Sequence, residues 1–127
     1  MLLALSILAC AAPCDLASTI PGYTPQCDGA VMARYPDETR VVVLGAQAGS
    51  LVAYLPVRVR EQAYGGTSGE PLTVVVDTEK ADRVAVEPEA LLRILELGPD
   101  IATLELEVSF EDGEIQGEVE LIVESRD

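Results

Sequence analysis

Four glutamates near the C-terminus have the type and spacing to do chemistry. Glu105 and Glu107 alternate with Leu104, Leu106 and Val108, and Glu118 and Glu120 alternate with Val119 and Leu121. Alternation with period two places carboxylates on one face of a strand and aliphatic side chains on the other. Carboxylates gathered in this way can bind Ca2+, receive a basic surface, or work as an acid and base pair. The remainder of a catalytic apparatus is missing. The chain has no His, which removes Ser-His-Asp and Cys-His arrangements. Gly66-Thr67-Ser68-Gly69 misses the spacing of a nucleophile elbow and lacks the Lys of a phosphate-binding loop, so it reads as a connector. No two carboxylates stand out from the rest as an acid and base, and no catalytic residue is named. Calcium asks for about six to eight oxygens in a loop-like cage, which a flat sheet face supplies poorly. No cofactor is therefore expected, with Ca2+ kept as the alternative.

The glutamates must be positioned by a long hairpin over 101–124. Its two apolar phases flank Asp112-Gly113, a strong hairpin signal. A two-residue turn there sets Leu104 opposite Leu121, Leu106 opposite Val119 and Phe110 opposite Ile115. The same register sets Glu105 opposite Glu120 and Glu107 opposite Glu118. Facing like charges destabilise a sheet by some tenths of a kcal/mol per pair. Such a ladder either marks a solvated outer face that blocks edge pairing or binds a basic surface or cation. Arg58 and Arg60 could neutralise it if their strand neighbours the hairpin.

Charge is distributed unevenly. The net charge is −14. Residues 31–76 hold four acids and four bases, whereas 77–127 hold sixteen acids against four bases. The acidic half repels nucleic acid and anionic lipid headgroups, so neither is expected as a partner. With 127 residues, half of them hydrophobic, there is material for one domain with its own core.

Short apolar runs separated by turn residues every eight to twelve positions predict six to eight strands: 30–35, 40–44, 51–60, 72–76, 83–87 and the hairpin. Tyr64 to Pro71 reads as a loop. Pro56 places the third strand at an edge or bulge. One short helix is predicted over 88–97, because Leu91, Leu92, Ile94 and Leu95 share one side at helical spacing and Gly98-Pro99 supplies a stop. The expected fold is all-β: an antiparallel β-sandwich, immunoglobulin-like in general architecture, spanning 29–127.

Met1 to Ala9 is apolar, too short to span a membrane and the right length for the core of a secretory signal. No Lys or Arg precedes Arg34, so either the signal is atypical or the start lies upstream of Met1. The segment ends in Ile7-Leu8-Ala9-Cys10. This resembles the lipobox of bacterial lipoproteins, with Ile7 as the aliphatic residue, Ala9 as the small residue before the cysteine, and Leu8 departing from the usual Ala, Ser or Thr. The resemblance covers about ten residues. It implies lipidation at Cys10, export, and anchoring in the bacterial cell envelope. The absence of Asp after Cys10 leans toward an outer membrane where one exists. Ala9-Cys10-Ala11 also satisfies an A-x-A cleavage pattern of ordinary secretion, and a cytosolic protein with an apolar start is the third reading.

Once Cys10 is lipidated or removed, Cys14 and Cys27 remain, and two cysteines in an exported chain can pair. Residues 10–28, rich in Pro, Gly, Ser and Thr, read as a tether carrying a Cys14–Cys27 loop. The sequence thus leads to a non-catalytic, lipid-anchored envelope module that meets an unknown envelope protein or basic surface and touches the membrane through its anchor only. The alternative is a carboxylate- or Ca2+-dependent adhesion module or enzyme that uses the acidic sheet.

Overall fold

The computed structural model describes residues 15–126. Ten strands run through it: β1 (Ala17–Ser18), β2 (Val31–Arg34), β3 (Thr39–Leu44), β4 (Ser50–Leu55), β5 (Ala63–Gly65), β6 (Thr73–Asp77), β7 (Asp82–Val86), β8 (Ala90–Leu97), β9 (Ile101–Phe110) and β10 (Gly113–Ser125). They form one sheet in the order β5-β8-β9-β10-β2-β3-β4-β6-β7, with β1 also on β10. The sheet is rolled into a nearly closed barrel. The all-β class is observed. The expected antiparallel sandwich is corrected to a single mixed sheet, in which β10 and β2 run parallel. The reason is the length of β10. Its 113–122 portion pairs with β9, while its other edge takes β1 at Ile115–Gln116 and then β2 at Ile122–Ser125. One strand therefore joins what would otherwise be two sheets.

The expected helix over 88–97 is corrected to strand β8. Ala90, Leu92 and Ile94 point into the core, and Arg93 points out. A bulge at Leu95 then shifts the register, so that Leu97 packs on the core opposite Ala102. The inserted residue breaks strict alternation and makes the apolar spacing look helical. Intrinsic helix preference is worth tenths of a kcal/mol per residue, whereas each buried Leu or Ile is worth about 1.5–3 kcal/mol. Burial wins. Two smaller expectations also change. Tyr64 and Gly65 belong to β5 rather than to a loop, and the third strand stops at Leu55, before Pro56.

The tether expected over 10–28 is corrected for its described part. Leu16, Ile20, Tyr23 and Cys27 lie in the same core as the strands. Tyr23 is 2% exposed and its hydroxyl donates to the Val43 carbonyl at 2.9 Å. Its ring fills the space left by Gly45, where an added Cβ would come within 2.7 Å of Cδ1. Burial pushes the Tyr23 phenol far above its ordinary range.

The hairpin is present, but its turn is Glu111–Asp112 and its register is shifted by two from the expected one. Leu104 faces Val119, Val108 faces Ile115, and Phe110 faces Gly113. A shift of two keeps every side chain on its own face, so alternation does not report it. The N-terminal segment decides it. The Thr19 carbonyl oxygen lies 2.8 Å from where a Cβ on Gly113 would sit, and the Asp15 carbonyl oxygen lies 1.9 Å from the equivalent position on Gly117. Both glycines clear a path for residues 15–19. Thr19 N–H donates to the Glu114 carbonyl at 2.9 Å, and Glu114 N–H donates to Thr19 Oγ1 at 2.9 Å.

Gly117 and Gly69 both have positive φ (137° and 87°), but nothing lies within 4 Å of a Cβ on Gly69. Gly69→Ala is expected to lose about 1 kcal/mol from backbone strain alone. Gly117→Ala should lose several times more, because the chain crossing must also move. Chemical denaturation of the two variants measures the difference, and equal losses would refute the role given to the crossing.

Candidate functional site

The acidic site predicted from sequence lies on the outer face of β8, β9 and β10. All four glutamates point outward: Glu107 and Glu118 are exposed, Glu105 and Glu120 half-buried. The corrected register leaves one facing pair, Glu105 with Glu118. Glu107 stands opposite Gln116, and Glu120 opposite Thr103. The ladder is therefore a staggered array.

Its counter-charge is Arg93, which lies within the segment expected to be a helix. β8 pairs Arg93 directly with Glu105, and Arg93 Nη1 reaches Glu105 Oε1 at 2.6 Å. Both side chains are nearly half exposed, and an exposed ion pair is worth about 0.2–1 kcal/mol. That matches the cost of one facing Glu pair, so the row Arg93–Glu105–Glu118 is stable with a net negative charge. Arg58 and Arg60 do not serve here. They follow β4 on a non-strand segment and are exposed. No sequence signal marks Arg93 once residues 88–97 are taken as a helix.

Beside this array a cleft of about 580 Å³ opens between the 66–68 loop and the outer surface of β8 and β9. Its charged walls are Glu89, Arg93 and Glu107. Ser68 is committed to the loop itself. Its hydroxyl donates to the Gly65 carbonyl at 2.7 Å and accepts from Glu70 N–H at 3.1 Å. The hydroxyl thus serves as a turn brace.

Two further carboxylate arrangements were not read from sequence. Asp77 and Asp82 face each other across β6 and β7. Their shared hydrogen bond, with desolvation and mutual repulsion, raises the Asp77 pKa. A hairpin closing over Thr78–Ala81 makes this pair legible once both strands are assigned. At the seam where β7 approaches β9, Arg83 clasps Asp112. Nε donates to Oδ1 at 3.0 Å and Oδ2 at 2.8 Å, and Nη2 lies 2.7 Å from Oδ2. The hydrogen bond from Arg83, aided by its charge, holds the Asp112 carboxyl below its ordinary range. Among the described residues, no three His, Cys, Asp or Glu side chains are grouped so that they could hold a metal ion. Of the cysteines, Cys27 is buried in the core, while Cys10 and Cys14 lie outside the described residues.

Comparison of the chain with protein-family models, with curated proteins and with solved structures gives no match in any of the three.

The two aspartates should respond to acid in opposite ways. The depressed Asp112 contributes stability at neutral pH that is lost as pH falls through its folded pKa. The raised Asp77 contributes stability only when protonated and has lost it by neutral pH. Asp112→Asn is therefore expected to melt below the wild type at about pH 7, and Asp77→Asn above it. Both gaps should shrink toward about pH 3, near and below the ordinary carboxylate range. Melting temperatures of the three proteins across that interval test the signs.

Proposed function

We propose that this chain is a non-catalytic, lipid-anchored cell-envelope module that takes a basic partner surface on the acidic outer face of β8, β9 and β10. The observation that carries the binding role is the charge arrangement on that face. Glu107, Glu118 and Glu120 stand on adjacent strands, and Arg93, the cation that the neighbouring strand pairs into the array, is committed to Glu105. The uncompensated carboxylates suit Lys or Arg side chains of a partner. The competing reading, a carboxylate- or Ca2+-dependent adhesion module or enzyme, asks for convergent oxygens. The observed register spreads them along the sheet instead.

The anchor rests on Ile7-Leu8-Ala9-Cys10. Asp15 is held to β10, its N–H donating to the Glu118 carbonyl at 3.2 Å. From Cys10 to Asp15 the chain can span at most roughly 18 Å when fully extended. A lipid on Cys10 would therefore keep the barrel close to the bilayer, and the module would serve partners at the membrane surface. The Cys14–Cys27 pairing belongs to the same proposal. It is supported by the even number of cysteines left after Cys10 and by the burial of Cys27 in the core. Closing that loop is worth roughly 3 kcal/mol in the chain-entropy model.

Two measurements test these readings. Mass spectrometry of the processed protein should show an N-terminal Cys10 carrying diacylglycerol, and an unmodified mature chain starting at Ala12 would end the anchor proposal. Calorimetry with an arginine-rich peptide tests the face. Replacing Glu105, Glu107, Glu118 and Glu120 with Gln should weaken binding roughly tenfold or more, at a few tenths of a kcal/mol per lost ion pair. An equal charge change elsewhere (Asp28→Asn, Asp37→Asn, Glu70→Gln, Glu79→Gln) should weaken it far less. Equal loss in both would mean that net charge alone attracts the peptide.

A further inference from the structure

The cleft beside the acidic array does not end at β9. It adjoins a second hollow of about 400 Å³, and Glu89 and Ser109 line both. Together they form a groove that runs from the 66–68 loop to the edge strand β7. Its floor follows from the β8–β9 register. Leu91 stands opposite Glu107, and at the next outward level Ser109 N–H donates to the Glu89 carbonyl at 3.0 Å. The two levels are about 7 Å apart, twice the rise per residue of an antiparallel strand.

The two parts of the groove differ in chemistry. In the cleft, Leu91 is accompanied by Glu89 and Glu107. Neither glutamate belongs to an ion pair among the described residues. Arg93 also lines the cleft, but its Nη1 is held by Glu105 Oε1 at 2.6 Å, so the surplus charge is negative. The hollow is walled instead by Val84, Val86 and Phe110. Val84 and Val86 are 63% and 47% exposed, and apolar side chains grouped beside polar ones mark an interaction site. The loop wall of the cleft is fixed in advance. Gly65 N–H donates to the Glu70 carbonyl at 2.9 Å and Gly66 N–H to the Ala90 carbonyl at 2.7 Å, while a Cβ on Gly66 would come within 3.0 Å of Leu91 Cδ1. A partner that meets a preformed groove avoids the cost of ordering it.

We propose that this groove takes a short extended segment of a partner protein, with a long basic side chain and an apolar one at alternate positions. Charge complementarity selects the first. An Arg or Lys lays its apolar stem along Leu91 and turns its charged head to Glu89 and Glu107. Strand geometry selects the second. Alternate side chains of an extended segment are also about 7 Å apart, so the next one on that face enters the hollow of Val84, Val86 and Phe110. Anchors of this kind, set in pockets, carry much of the energy of an interface. Nucleic acid and anionic lipid are repelled by the same carboxylates. This inference rests on the basic-partner reading, to which it adds an anchor point and an apolar requirement.

Calorimetry of the full chain with three peptides tests it. Each peptide has two arginines beyond a Gly-Ser spacer at either end, and the centres are Leu-Ser-Arg-Ser-Leu, Ser-Ser-Arg-Ser-Ser and Leu-Ser-Gln-Ser-Leu. The first is expected to bind at least about fivefold more tightly than the second. Val84→Thr with Val86→Thr keeps side-chain shape and suits a strand, and it should remove most of that difference. Glu89→Gln should weaken the first peptide about threefold and the third hardly at all, the coupling expected of one exposed ion pair. The comparison of the first two peptides uses only the wild type, so it decides even where a variant fails to fold. A Leu preference below about twofold overturns the groove proposal, as does one that survives in the folded double-Thr variant, or an equal effect of Glu89→Gln on the first and third peptides. The acidic-face reading fails separately, if the variant with Gln at Glu105, Glu107, Glu118 and Glu120 binds the Ser-Ser-Arg-Ser-Ser peptide as tightly as the wild type does.

Discussion

The structure depends on a close crossing of backbone over backbone. Residues 15–19 run along β10 so tightly that only glycine is tolerated at 113 and 117. That contact gives the edge of β10 a partner, β1, before β2 takes over the same edge in parallel. It also delivers Leu16, Ile20 and Tyr23 into the core. A segment whose composition suggests a loose leader is therefore a structural strand and plug. The glycines, which elsewhere would signal turns or weak strands, are present because another chain segment occupies the place of their side chains.

The crossing also governs the candidate site. With Gly113 in the strand, the hairpin turns at Glu111–Asp112 and the glutamates move by two positions relative to their partners. Repulsion between two facing pairs becomes repulsion within one, and the neighbouring strand supplies Arg93 to offset it. Freed from the strand, Asp112 reaches Arg83 and clasps the seam where the rolled sheet approaches closure. Arg83 occupies a core-facing position on the edge strand β7, and an inward charge held by a partner is a recognised way to discourage another strand from adding there.

Charge is segregated along the chain, and rolling the sheet gathers much of the acidic segment on neighbouring strands. The acidic C-terminal half supplies β8, β9 and β10, and the neutral middle supplies β2 to β4 and most of β6. The outer surface of β8, β9 and β10 carries carboxylates with Arg93 among them, and a row of β-branched side chains crosses the outside of the sheet from Ile101 to Val84. These side chains favour strands, and their lateral packing stabilises the sheet.

The sequence by itself determined the all-β class, the alternating strands, the C-terminal hairpin and the outward placement of all four glutamates. Each follows from period-two alternation, which is a local property of the chain. Only the tertiary structure decided the register, the strand identity of 90–97, the partner of β10 and the role of residues 15–28. Alternation is unchanged by a shift of two, and a bulge at Leu95 imitates helical spacing. The reason for a glycine can lie in a carbonyl oxygen about a hundred residues away, as Asp15 does for Gly117. These are contacts between distant segments, and no local pattern in the chain encodes them.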